Sequence, residues 1–236
     1  MKNKMQDDSL YIYQRDKVKE TFNIRELKWT EKQQRFIDLA LAKNTKVIIC
    51  ESPPGTGKTL LSLYCSLRKL NDKRIGEIIY IRAPIESCSK GLGFIPGSQE
   101  EKMNPYFLPA MDHFYELLDK ITVKKLLKEE RITVTPMGFL KGRTYSVCAC
   151  IADEAEDLTL QELELLMGRM GHFSCLFIIG DEKQANIKNS GFSIVYQAFN
   201  NEESKSHGIH TFTFGKEDCM RNGISKYVID IFETLR

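Results

Sequence analysis

The stretch Glu51-Ser52-Pro53-Pro54-Gly55-Thr56-Gly57-Lys58-Thr59, ESPPGTGKT, decides how this chain folds. It follows the β-branched run KVIIC (46–50) and leads into GKTLLSLYCSLRKL (57–70), whose apolar residues recur at helical spacing, so the order is strand, tight loop, helix. Gly55 and Gly57 let successive backbone N–H groups turn toward one point, and the helix that begins there adds its positive end. Lys58 brings an ammonium and Thr59 a hydroxyl. The pattern is the phosphate-cradling P-loop G-x-x-x-x-G-K-[ST], with Ser52 in place of the first glycine. Ser52 stands at the loop's entry, where a small side chain is accommodated if φ stays negative. The expected nucleotide-binding residues are Ser52, Pro53, Pro54, Gly55, Thr56, Gly57, Lys58, Thr59 and Leu60. Lys58 is expected to reach the β- and γ-phosphates and Thr59 to ligate Mg²⁺.

Two further apolar runs end in polar groups. SVCACIADEAED brings Asp153 and Glu154 to a strand's C-terminal end, the edge at which open α/β sheets bind ligands. Asp153 is assigned to the metal and Glu154 to general base or water positioning, whereas Glu156 and Asp157 read as solvated acids opening the next helix. SCLFIIG runs into Gly180-Asp181-Glu182-Lys183-Gln184, placing Gln184 to touch the γ-phosphate or the attacking water.

The other strand-like runs are EIIYIR (77–82), RITVTP (131–136) and IHTFTF (209–214). Helical spacing marks 108–120, 159–171 and 191–200. Thr159 with Glu162 fits a capping box, Gly171 a left-handed stop, and Ile224, Val228, Ile231 and Leu235 an apolar stripe packed on the core. Near-continuous apolar strands alternating with helices imply an α/β fold, a mostly parallel sheet covered by helices on both faces. Residues 1–25 are polar and read as an arm, leaving 26–236 as one domain.

Composition narrows the classes. At 236 residues, 42% hydrophobic and 28% charged, the chain suits one large globular domain. No apolar run approaches a membrane span and MKNKMQDDSL carries no signal-peptide core, so the expected location is the cytoplasm. Seven cysteines without a C-x-x-C pair read as buried thiols rather than a zinc site. A net charge of +2 leaves any basic surface local.

Taken together the motifs resemble the PhoH family, whose ATPase core is related to superfamily 1 helicases. The likeness runs through Thr30-x-x-Gln33, Ser52 to Thr59, Asp153-Glu154-Ala155, Gly180-Asp181-x-x-Gln184, KGRT (141–144), LMGRMG (166–171) and, most specifically, IRAPIESCSKGLGFIPGSQEEKMNPYFLP (81–109). It implies a RecA-like sheet with ATPase activity and a role in unwinding or remodelling RNA or DNA. It also implies Gln33 as the residue that reads adenine, and Arg169 or Arg221 as the cation offered to a neighbour's γ-phosphate. The chain departs from the family at Ser52, usually glycine, at Glu156, usually glutamine, and at Cys219-Met220-Arg221-Asn222. No guanine-reading NKxD follows the P-loop, which favours ATP over GTP.

One sheet is half of a two-lobed helicase site, so a second copy is expected to complete it in a ring or other oligomer. The connection from Ala83 to Leu108, with Arg82, Lys90, Phe94 and Lys102, suits a single strand of RNA or DNA, cations on phosphate and Phe94 on a base. LGFIP reads equally as a packed turn or a subunit contact. Lys141 and Arg143 are further candidates for nucleic acid. The competing class is an ATP-dependent switch acting on a protein partner.

Overall fold

The computed structural model describes residues 21–83, 110–139 and 144–220, with four positions of a C-terminal helix, Gly223, Ile224, Tyr227 and Ile231. Six strands are present among them: β1 (Val47–Glu51), β2 (Glu77–Arg82), β3 (Ile132–Pro136), β4 (Cys148–Asp153), β5 (Cys175–Gly180) and β6 (Ile209–Thr213). They pair in the order β3-β2-β4-β5-β1-β6, and every pairing is parallel. Parallel pairing needs a crossover after each strand. The helices that supply or flank these crossovers are α1 (Glu31–Leu41), α2 (Lys58–Asn71), α3 (Lys120–Lys128), α4 (Leu160–Gly168), α5 (Phe192–Phe199) and α6 (Glu202–Ser206). Residues 110–117 are also helical.

Period-two alternation divides the inner strands β1, β2, β4 and β5 between two cores. Ile48, Cys50, Ile78, Tyr80, Ala149, Ile151, Phe177 and Ile179 pack under α1 and α2, while Val47, Ile49, Ile79, Ile81, Cys148, Cys150, Leu176 and Ile178 pack under α4 and α5. A strand buried on both sides has to be apolar at every position, hence the unbroken runs. Phe36 of α1 is fully buried among Phe177, Phe212 and Phe214, with ring centroids 5.3–6.3 Å away.

Helix starts differ in a way that positions the site. Thr30, Asp119 and Thr159 each accept backbone N–H groups at the N-termini of α1, α3 and α4. The 14-residue α2 begins at Gly57 with no side-chain cap. Its first N–H groups are therefore left to an outside acceptor. The P-loop strand β1 and the acid-bearing β4 are not neighbours, because β5 lies between them. Two interstrand steps, about 10 Å, separate them.

Three expectations are corrected. The arm does not extend to residue 25: the Phe22 backbone exchanges two 3.0 Å bonds with Asn71, Arg25 N–H donates to Leu117 at 2.8 Å, and Ile24 is buried. Residues 1–20 lie outside the described residues. Helix α4 stops at Gly168, and Gly171 is not left-handed. A Cβ at Gly171 would press on the 144–146 backbone and side chains, so close approach is what requires glycine there. In the C-terminal helix Ile224 and Ile231 are exposed rather than packed, since both sheet faces are already covered; Val228 and Leu235 lie outside the described residues. Among the described residues no helix is long and apolar enough to cross a membrane.

Replacing Phe36 with alanine is expected to cost about 3–5 kcal/mol of unfolding free energy. Urea denaturation of the two proteins measures it, and a loss below about 1 kcal/mol would contradict the packing described.

Candidate active site

Within the ESPPGTGKT loop, left-handed backbone is confined to Gly55 (φ 81°) and Gly57 (φ 87°). Ser52 keeps ordinary φ and is fully buried, which suits a side chain in place of glycine. Its N–H extends the β1–β5 ladder to Gly180 O at 2.9 Å, and its hydroxyl pairs with that of Thr56. The Thr56 hydroxyl also donates to Pro53 O at 3.1 Å. The serine thus braces the loop internally. Lys58 Nζ donates to Ser52 O at 3.2 Å, joining the two ends of the loop. Gln33 is buried and spans from α1 to the loop: Nε2 donates to Thr56 O and Oε1 accepts Thr30 N–H, both at 3.0 Å.

The β4 carboxylates sit opposite. Asp153 is 5% exposed and accepts from Thr59 Oγ1 at 3.1 and 3.3 Å, from Glu154 N–H at 3.1 Å and from the Tyr80 hydroxyl. Burial, reinforced by the Asp153 charge, pushes the Tyr80 phenol far above its ordinary value, so it remains the proton donor in this pair. Thr59 and Asp153 form an adjacent all-oxygen pair. A hard divalent cation such as Mg²⁺, which takes few protein oxygens and keeps waters and phosphates for the rest, fits that donor set. Glu154 adopts φ 55°, a conformation that costs a non-glycine residue of order 1 kcal/mol or more and persists where the surroundings impose it. Its side chain is 44% exposed, with Oε1 3.5 Å from Arg82 Nη2. Arg82, assigned to nucleic acid from sequence, therefore faces the acid pair.

At the end of β5, Asp181 is buried and accepts Lys183 N–H at 3.1 Å and Gln184 Nε2 at 2.7 Å. Gln184 is thus folded back onto Asp181. The reading of Glu156 as a solvated acid is overturned: it is 1% exposed, and its Oε2 accepts Asp181 N–H at 3.1 Å beneath Gly180. A Cβ at Gly180 would lie 2.5 Å from that oxygen and 3.0 Å from Glu156 N, so the glycine makes room for the carboxyl. Burial dominates and raises Glu156 to about 8. Burial, with Glu182 and Asp181 nearby, also raises Glu51. An edge this rich in carboxylates would repel an anionic ligand unless a cation such as Lys58 or a divalent ion stood between them.

Several contacts were not readable from sequence. Tyr80 looked like one more core aromatic within EIIYIR. The stretch after β6 returns to the loop: Phe214 N–H donates to Glu51 O at 3.0 Å and Met220 N–H to Gly55 O at 2.8 Å. Lys32 anchors it through Asp218 at 2.7 Å. Arg169 caps the C-terminus of α4, and its carbonyl accepts Tyr145 N–H ahead of β4, at the sheet edge opposite the P-loop. Arg221, Lys90, Phe94, Lys102, Lys141 and Arg143 lie outside the described residues.

The sequence model of the PhoH-like protein family matches residues 26–233. A PhoH-like protein of Mycobacterium tuberculosis (strain H37Rv) is 29% identical over 203 residues, which is 86% of this chain and 56% of that protein. A PhoH-like protein of Synechocystis is 28% identical over 207 residues, 86% and 61% of the two chains. Protein PhoH of Escherichia coli (strain K12) is 29% identical over 199 residues, 82% and 55%. The chain therefore spans little more than half the length of these relatives.

The buried Glu156 carboxyl predicts a pH signature. Its folded value of about 8 lies above the ordinary 4.5, so the unfolded chain gives up its proton first as pH rises. This contribution to stability is complete below about 4.5 and is lost as pH rises through about 8. Glu156→Gln is expected to remove that component, leaving the variant more stable than the parent at pH 9. Thermal unfolding from pH 5 to 9 compares the two curves, and parallel curves would refute the assignment.

Proposed function

The chain belongs to the PhoH family, and from that premise we propose that it binds ATP with Mg²⁺ at the P-loop, hydrolyses it, and uses the cycle to move along or remodel single-stranded RNA or DNA. The observation that carries the ATPase reading is the 3.1 Å contact of Thr59 Oγ1 with Asp153, which brings the P-loop helix and the acid strand to one point.

The open N-terminus of α2 and Lys58 receive the β- and γ-phosphates. Thr59 and Asp153 would hold Mg²⁺, whose positive charge would offset that of the triphosphate. Glu154 orients a water and accepts its proton as the water oxygen bonds to the γ-phosphorus and the bond to ADP breaks. Gln184 leaves Asp181 to meet the γ-phosphate or that water, and so reports nucleotide state to the loop after β5. Gln33, already on the P-loop backbone, is the residue proposed to read adenine. One domain, residues 26–236 with the docked segment 22–25, supplies one face of the nucleotide. A second copy in a homo-oligomer, a ring among the options, supplies the other with Arg169 or Arg221. The proposed location is the cytoplasm. Arg82, Lys90, Phe94, Lys102, Lys141 and Arg143 remain the proposed contacts to nucleic acid.

A second reading, an ATP-dependent switch acting on a protein partner, draws on the Met220 bond to Gly55 and on the exposed Met220, Ile224, Tyr227 and Ile231 that follow the loop contact. Nucleotide state could then be read by that apolar surface.

Lys58→Ala is expected to abolish nucleotide binding. Glu154→Gln is expected to keep binding and lower turnover by roughly 10²-fold or more. Turnover measured with and without single-stranded RNA or DNA at low salt separates the two readings: stimulation supports the motor, and indifference to every nucleic acid the switch. A monomer in light scattering that retains full turnover would overturn the oligomer.

A further inference from the structure

Arg82 ends β2 in register with Asp153 of β4, and its side chain lies on the same sheet face as that of Tyr80. Two positions apart on one strand, Tyr80 serves Asp153 and Arg82 serves Glu154. The two contacts differ in quality. Tyr80 makes a buried hydrogen bond to a carboxylate already fixed from three directions. Arg82 reaches Glu154 through a single 3.5 Å ion pair, and its Nε is buried with no hydrogen-bond partner among the described residues. A guanidinium fork favours two parallel bonds to one anion, so here it is held in place and poorly satisfied.

We propose that Arg82 is a positioning residue that restrains Glu154, engaging the carboxylate oxygen that otherwise orients the attacking water, and that a phosphate backbone drawing off the guanidinium releases it. The second half rests on the nucleic-acid reading above. The Glu154 backbone is confined at φ 55°, so the carboxylate changes place by side-chain rotation alone. At 44% exposure it has room to do so. The Arg82 side chain is 17% exposed, and the pair rests on one 3.5 Å contact without the two parallel bonds that make a guanidinium–carboxylate pair strong. A phosphate, offering two acceptor oxygens to the same fork, competes well against it. In this arrangement the residue that meets nucleic acid is also the one that withholds the general base, so hydrolysis is slow without a strand and needs no movement of the sheet to speed up.

ATP turnover of the full chain without nucleic acid reads the restraint directly. Arg82→Gln is expected to raise basal kcat roughly threefold or more, with KM for ATP within about twofold of the parent, and to leave little further stimulation by oligo(dT) or poly(U). Arg82→Lys, which keeps a cation but not the fork, is expected to fall between the two and carries the same test should Arg82→Gln fail to fold. Basal turnover equal to or below the parent, in variants whose thermal unfolding is unchanged, overturns the restraint. If the parent is stimulated by single strands and Arg82→Gln is stimulated to the same degree, the restraint is also wrong, while the motor reading stands. If the parent ignores every strand yet Arg82→Gln is faster, the restraint holds and the nucleic-acid reading falls.

Discussion

Thr59 and Asp153 come from segments 94 residues apart in sequence, and their hydroxyl-to-carboxylate contact depends on every level of the fold. Thr59 is in the first turn of α2, whose start is set by two left-handed glycines. Asp153 is the last residue of a strand buried along its whole length. The two meet because a wholly parallel sheet delivers all strand ends that precede loops to one edge. With β5 between β1 and β4, loop and acid lie two strands apart, and the first turn of α2 brings the Thr59 hydroxyl within 3.1 Å of Asp153.

That edge concentrates negative charge, and the structure distributes the burden unevenly. Asp153 is supported by donors from three elements. Glu156, one turn further on, is removed from water beneath Gly180, and that burial favours its neutral form. A neutral carboxyl in that position has nearly the shape and hydrogen-bonding capacity of the glutamine usual in the family, one oxygen still accepting Asp181 N–H. The departure in sequence is therefore smaller as chemistry than as formal charge.

The loop is also held from outside. Gln33 approaches from α1, Ser52 braces it from within, and the backbone of Met220 meets it from beyond β6. Lys32, bonded to Asp218 and close to Glu217, ties α1 and the segment after β6 into the same unit.

The sequence by itself determined the α/β class, the P-loop, the two acids on β4 and the turn after β5, because these depend on local rules: period-two burial, glycine at left-handed positions, and polar residues where apolar runs stop. It could not order the strands, since six apolar runs look alike until their crossovers are packed. For the same reason Tyr80 passed as one more residue of the strand-like run EIIYIR and Arg82 was read only as a nucleic-acid contact: that they face Asp153 and Glu154 follows only from β2 lying against β4. Glu156 was misread as solvated because its burial comes from packing beneath Gly180, a residue distant in the chain that meets it only once β5 is in place. Tertiary structure decided these points because charge, burial and reach are properties of neighbours in space, and sequence spacing specifies neighbours only within one element.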